Sequence, residues 1–307
     1  MPLVVTSASG LNGDGYGALL AFDLRGNAIG KFSSDDRIED PRGLGYEREL
    51  NLLFLNSGAD HLLAIDAAGK VVRDTGRIAG LNPGGGNFGP DGRYYVGLRN
   101  TRSIMAFGKE LTPEGEQVLA PKAVPFPRGF AFDPWGQLFL ASGIGPAGEG
   151  DDTILSFSPD LELRETFHVC DPEVSPLDLA IAPNGNVVVA SEWPFGDPNA
   201  ITTIREYDPV EGNLVRILWP KVVAYQKPRG LRFGPHNRLY CAAQDEVVVF
   251  NFETGECLGA LIHLPRLNGQ ALMFFPSGTS GQAFPRDHST KEQSIAKWPT
   301  SLSCAAI

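Results

Sequence analysis

One phrase governs what this chain can fold into. Pro-Arg-Gly occurs at 41–43, 127–129 and 228–230, each time just ahead of an alternating apolar run. The same grammar follows Pro83-Gly-Gly-Gly and Pro176-Leu-Asp-Leu, and a copy without its proline begins at Gly269-Gln-Ala-Leu. Successive anchors lie 41 to 52 residues apart. A period of that size marks a repeat architecture, in which no unit buries its apolar faces without a neighbour.

Within a repeat the order is constant. A first strand (GFAFD, DLAIA) runs into a turn (PDG at 90–92, PWG at 134–136, PNG at 183–185, PHN at 235–237). A second strand follows (RYYVG, QLFLAS, NVVVAS, RLYCAA), then a loop of variable length, a third strand and a closing fourth. Period-2 alternation bounded by turn residues predicts antiparallel hairpins, four strands to the unit. The 36 glycines and 24 prolines among 307 residues run the whole length, which suits short strands and excludes long helices.

Four strands every 40–50 residues predict the blade of an all-β propeller. Ahead of Pro41 there is material for only three strands (LVVTSAS, GALLAFDL, AIGKF), and one spare strand, ALMFFP at about 271–276, follows the last complete repeat. Together they make a sixth blade, so the ring closes by pairing the C-terminal strand with the N-terminal ones. Residues 1–276 are thus read as a single six-bladed β-propeller, with a C-terminal tail at 277–307 outside the repeat pattern. The phrase P-x-G-Φ-x-Φ-x-P-x-G-x-Φ-Φ-Φ-A (Φ apolar), clearest at 127–141, 176–190 and 228–242, resembles the NHL-repeat and SMP-30 (gluconolactonase-like) six-bladed propellers. That resemblance implies the architecture; function has to come from the site.

In propellers of this kind the innermost strand starts at the rim of the central tunnel. The residue after each anchor proline therefore belongs to a ring of six: Arg42, Gly84, Arg128, Leu177, Arg229 and Gln270. Arginine holds alternate positions. Guanidinium groups converging on one opening repel unless anions separate them, and their forked donors match carboxylate or phosphate oxygens. Two readings stay open: an anion site at the tunnel mouth, or arginines that each fold across their own loops. Carboxylates placed to neutralise the trio are Asp178, Glu192, Asp197 and Glu149.

The resemblance to metal-dependent lactonases implies Glu, Asn and Asp ligands within phrases such as N-G-Φ or D-G-Φ. Here the matching phrases are R-G-L, G-G-G, R-G-F, L-D-L and R-G-L. A hard cation seeking oxygen ligands is disfavoured by three arginines, so no metal ligand is assigned and no cofactor is expected. None of the five histidines (61, 168, 236, 263, 288) falls at an inner-loop position.

Three loops on that face are long: 8–17, 142–152 and SEWPFGDPNA at 191–200. The last supplies Trp193 and Phe195 as an aromatic wall, with Glu192 beside it. The reading that follows is a propeller binding a carboxylate or other anionic small molecule through Arg42, Arg128, Arg229, Gln270, Trp193 and Phe195. Asp178 or Glu192 would serve as acid or base in a metal-independent hydrolase, lyase or isomerase. The alternatives are a non-catalytic NHL-type propeller binding a protein or peptide on the same face, and an SMP-30-type metal lactonase.

Charge narrows the partners further. A net charge of −10 and the lack of a Lys/Arg run exclude a nucleic-acid phosphate backbone as partner. No apolar stretch approaches the ~20 residues needed to span a bilayer as a helix. MPLVVTSASG lacks the basic start and apolar core of a secretory leader, so a cytoplasmic protein is expected. The four cysteines, spaced without a metal-finger pattern, are expected to be thiols.

Overall fold

The computed structural model describes residues 2–7, 17–33, 35–145, 148, 151–167, 169, 171, 173–197, 199–219 and 227–275. The predicted tail at 277–307, most of the 8–17 loop, Glu149, His168 and His288 lie outside the described residues. The described residues form six antiparallel sheets arranged as a six-bladed β-propeller. Blade 2 shows the pattern: Gly43–Glu47 innermost, then Leu52–Ser57, His61–Ile65 and Val71–Asp74. Blades 3, 5 and 6 repeat it from the inner strands Pro83–Phe88, Pro176–Ile181 and Gly230–Phe233. Blade 4 has Pro127–Phe132, Leu138–Ser142 and Thr153–Phe157, with only a single bridge, Phe157 to Leu163, where a fourth strand would pair.

Blade 1 closes the ring as the strand count predicts. Its inner strand, Leu272–Phe274, pairs antiparallel with Leu3–Ser7, which continues through Ala18–Phe22 to Ala28–Ser33. The six inner strands touch one another in order all the way round, blade 6 meeting blade 1 and blade 1 meeting blade 2.

Packing follows the same circle. Among the described residues there are six apolar clusters, each filled by the facing sides of two adjacent blades. Between blades 1 and 2, Phe275 packs on Phe32 and Tyr46 at ring distances of 5.4 and 5.2 Å. The second strands of blades 2, 3 and 4 are buried on both faces, so they lose the polar-out alternation of a surface sheet. Apolar area removed from water at roughly 25 cal/mol per Å² is what holds blade to blade. No helix among the described residues is long and apolar enough to cross a membrane.

The glycine of Pro-Arg-Gly has a steric cause. A Cβ at Gly129 would stand 1.9 Å from the Asp178 Oδ1 of the next blade, and one at Gly85 would stand 2.3 Å from the Arg128 carbonyl oxygen. Inner strands approach so closely at the axis that only a missing side chain admits the neighbour's backbone.

Candidate functional site

The inner strands and the loops that feed them enclose a cavity of about 290 Å³ at the tunnel mouth. Five of the six ring positions line it: Arg42, Arg128, Leu177, Arg229 and Gln270. Gly84 does not. Its place is taken by Arg99, the first residue after the second strand of blade 3, whose Nε lies 3.2 Å from where a Gly84 Cβ would be. The equivalent residues of blades 4 and 5 are Gly143 and Glu192. Arg99, Gly143 and Glu192 each donate a backbone N–H to the residue preceding the anchor proline (Asn82, Phe126 and Ser175). The two positions are complementary: in blade 4 the arginine stands at 128 and glycine at 143, whose Cβ would lie 2.0 Å from the Arg128 guanidinium carbon.

Six cationic side chains line this cavity (Arg42, Arg99, Arg128, Lys227, Arg229, Arg232) against one carboxylate, Asp178. Three are paired. Arg42 folds across its own loop to Asp40 at 2.6 Å and donates to Asn82 Oδ1 and the Pro83 carbonyl of blade 3. That is the structural role left open for it above. Arg229 stands 3.3 Å from Glu192, and Arg232 3.3 Å from Asp178. Asp178, expected as a partner for the trio, is instead bound into the wall by Arg232 and by the Leu231 N–H at 2.9 Å. Burial nonetheless pushes its carboxyl above the usual range, with Arg232 acting in the opposite sense.

Arg99, Arg128 and Lys227 have no ion-paired carboxylate among the described residues. Arg128, only 5% exposed, donates to Ser175 Oγ and to the carbonyls of Pro176 and Ile144. Ser175 in turn donates to Asp152 at 2.6 Å, so that carboxylate makes no ion pair with Arg128 and acts on it through space and through the hydroxyl. Arg99 is poorer still: its Nε is buried without a hydrogen-bond partner, the Phe126 ring lies 6.0 Å from its guanidinium carbon, and Asp40 favours its charge only through space. Burial, then the neighbouring Arg42, pushes the Arg99 guanidinium down to about 9; burial pushes Arg128 to about 10. Both remain charged at neutral pH, so their unfavourable surroundings register as a field that favours an anion.

Phe195 links two of these groups. Its ring, 43% exposed, carries the Arg128 guanidinium at 4.1 Å and that of Arg229 at 5.1 Å. Each contact is attractive because the ring face is electron-rich. Trp193, expected in the same wall, is not among the cavity-lining residues; it is the last residue of the strand Val187–Trp193, opposite Ile201. Gln270 turns its amide toward Asn268, donating to its side-chain oxygen at 3.2 Å. Asp197 lies outside the arginine cavity and lines a smaller neighbour of about 220 Å³ together with Glu192. The sequence reading missed Arg99, Lys227 and Arg232. Only for Arg99 was there a signal, the glycine at 84 in a ring otherwise filled with larger side chains.

The donor set does not fit the hard cation implied by lactonase resemblance. Its one lining carboxylate is paired with an arginine, and the remaining polar groups are mostly donors. Among the described residues no group of three or more His, Cys, Asp or Glu side chains is arranged to hold a metal ion.

No family model and no curated protein matches the sequence. Similar solved structures include a chain of the nidogen/laminin complex, with a TM-score of 0.67 and 12% identity, covering 88% of this chain and 97% of that one. A gluconolactonase from Xanthomonas campestris gives 0.59 and 16% over 86% of each chain. A streptogramin B lyase gives 0.57 and 14% over 76% of this chain and 73% of that one. At these identities the likeness concerns the six-bladed fold.

Proposed function

We propose that this propeller binds a small anionic molecule, a carboxylate or phosphate, in the arginine-lined cavity at the tunnel mouth. The observation that carries the reading is Arg99: a half-buried cation lining a cavity, its Nε fully buried, with no ion-paired carboxylate and no Nε acceptor among the described residues. Burying a charge without a partner is costly, and a ligand oxyanion would supply the missing acceptor. Arg128 adds a second guanidinium without an ion-paired carboxylate on the same wall, and Phe130, Ile144 and Leu177 give the ligand an apolar surface. A cavity with convergent polar groups in an apolar frame is the usual form of a small-molecule site. Lactonases and lyases among the similar folds support small-molecule use of this fold.

Thermal shift with inorganic phosphate, citrate and a sugar acid, on wild type and on Arg99→Met and Arg128→Met, tests the reading. A ligand at about 100 times its Kd adds about 2.7 kcal/mol to stability. Stabilisation by an anion that disappears in both variants is the expected result; equal stabilisation of all three proteins overturns it.

A catalytic use has one observation in its favour. Asp178 holds a carboxyl above its usual range at the wall of a cavity crowded with guanidiniums, an arrangement suited to giving a proton to a leaving oxygen while arginines stabilise the developing negative charge. Turnover of a sugar lactone that is lost in Asp178→Asn, with anion binding retained, is the outcome this reading requires.

A further inference from the structure

The neighbouring cavity of about 220 Å³ has the opposite chemistry. It is lined by Glu192, Asp197, Thr202, Gln244 and Lys227, and Lys227 lines the arginine cavity as well. Two of its acceptors are fully buried without a hydrogen-bond donor: Glu192 Oε2 and Gln244 Oε1. Glu192 is only 2% exposed, and although Arg229 lies 3.3 Å away on the arginine side, that approach does not form a hydrogen bond to Oε2. Asp197 adds a second carboxylate, whose Oδ1 accepts only the Asn199 N–H at 2.7 Å among the described residues. Buried acceptors in native proteins are nearly always satisfied; Lys227 lines the same cavity but bonds neither oxygen, so two orphans on one wall leave room for a donor from outside the chain.

Glu192 is the hinge between the two cavities, facing Arg229 on one side and the acceptor-lined space on the other. From this juxtaposition we infer that the ligand is zwitterionic, its anionic group held by the arginines and a primary ammonium held by Glu192, Asp197 and Gln244. An ammonium fits better than a neutral hydroxyl because two of the three acceptors are carboxylates, and it presents three donors to a wall of oxygens. The inference rests on the anion-binding reading above and adds to it the class of the second group.

The test compares matched pairs by calorimetry on the full chain: 4-aminobutanoate against butanoate, and phosphoethanolamine against ethyl phosphate. The expected result is at least tenfold tighter binding for the amine member of one pair. That advantage should fall below twofold in Glu192→Gln, while the plain anion binds no more weakly than before, because Arg229 loses its carboxylate partner. Asp197 is exposed, so Asp197→Asn gives a second variant if Glu192→Gln does not fold, and should reduce the advantage severalfold. Equal affinities within both pairs overturn the zwitterion inference and leave the anion site standing. Failure of all four probes to bind overturns the anion site and this inference with it.

Discussion

Arg99 occupies the space that the missing side chain of Gly84 leaves open, its Nε 3.2 Å from where that Cβ would stand. One blade further round the order is reversed, with Arg128 at the position of Gly84 and Gly143 at the position of Arg99. Two arginines thus reach one cavity from two different loops, and each requires a glycine opposite.

Gly143→Ala tests the complementarity. Its Cβ would lie 2.0 Å from the Arg128 guanidinium carbon, so the guanidinium has to move from the Ile144 carbonyl. Overpacking of a buried site costs about 1–3 kcal/mol, and the displaced end of a flexible side chain belongs near the low limit. Anion affinity is expected to fall at least tenfold while the protein still folds. Gly85→Ala should behave differently, because its Cβ meets the Arg128 backbone oxygen at 2.3 Å, which cannot swing aside. A loss of about 3 kcal/mol or more is expected in urea unfolding.

Arg99→Met should raise the stability of the ligand-free protein. Removing a half-buried charge whose Nε has no acceptor, and keeping the apolar stem, is worth about 1–2 kcal/mol. The same change should abolish stabilisation by anions. Thermal melts with and without phosphate read both effects, and a variant less stable than wild type without ligand contradicts the account of Arg99 as an uncompensated cation.

Phe195→Ala removes the ring that supports both Arg128 and Arg229. Each contact is worth about 0.5–2 kcal/mol, depending on desolvation. Because Phe195 is already 43% exposed, the stability loss should stay at about 1 kcal/mol, whereas anion affinity should drop three- to tenfold as the two guanidiniums lose their common platform. Calorimetry on the variant separates the two effects.

Phe275→Ala tests ring closure. The closing strand pairs over only three residues, Leu3 with Phe274 through Val5 with Leu272, so much of its hold comes from the buried Phe275 side chain against Phe32 and Tyr46. A cost of about 3–5 kcal/mol is expected for this truncation in a packed core.

Acid lability should be traceable to Asp35. Hydrogen bonds from Arg37, at 2.7 Å to each carboxylate oxygen, lower its carboxyl to about 2 in the folded chain from an ordinary 3.8. The unfolded state binds the proton more tightly, so the contribution is present above pH 3.8 and is lost as pH falls towards 2. Asp35→Asn should therefore lower the urea midpoint by a constant amount above about pH 5, and the gap to wild type should close as pH falls through that window.

The architecture was legible because it depends on local rules repeated six times. Alternation, turn dipeptides and a period of 40–50 residues are read along the chain, and the shortage of strands at each end can be resolved only by pairing Leu272–Phe274 with Leu3–Ser7. The ring of arginines was legible for the same reason, being a fixed offset from each anchor. The partners of those arginines were not. Whether Arg42 finds Asp40, Arg229 finds Glu192, or Arg128 finds a serine and two carbonyls depends on the path of loops that do not repeat. Arg99 reaches the axis only because a glycine in a different strand leaves room for it. Periodicity records which residues stand at equivalent places; burial and charge compensation depend on what the neighbouring blade puts opposite them. Only the folded ring decides that.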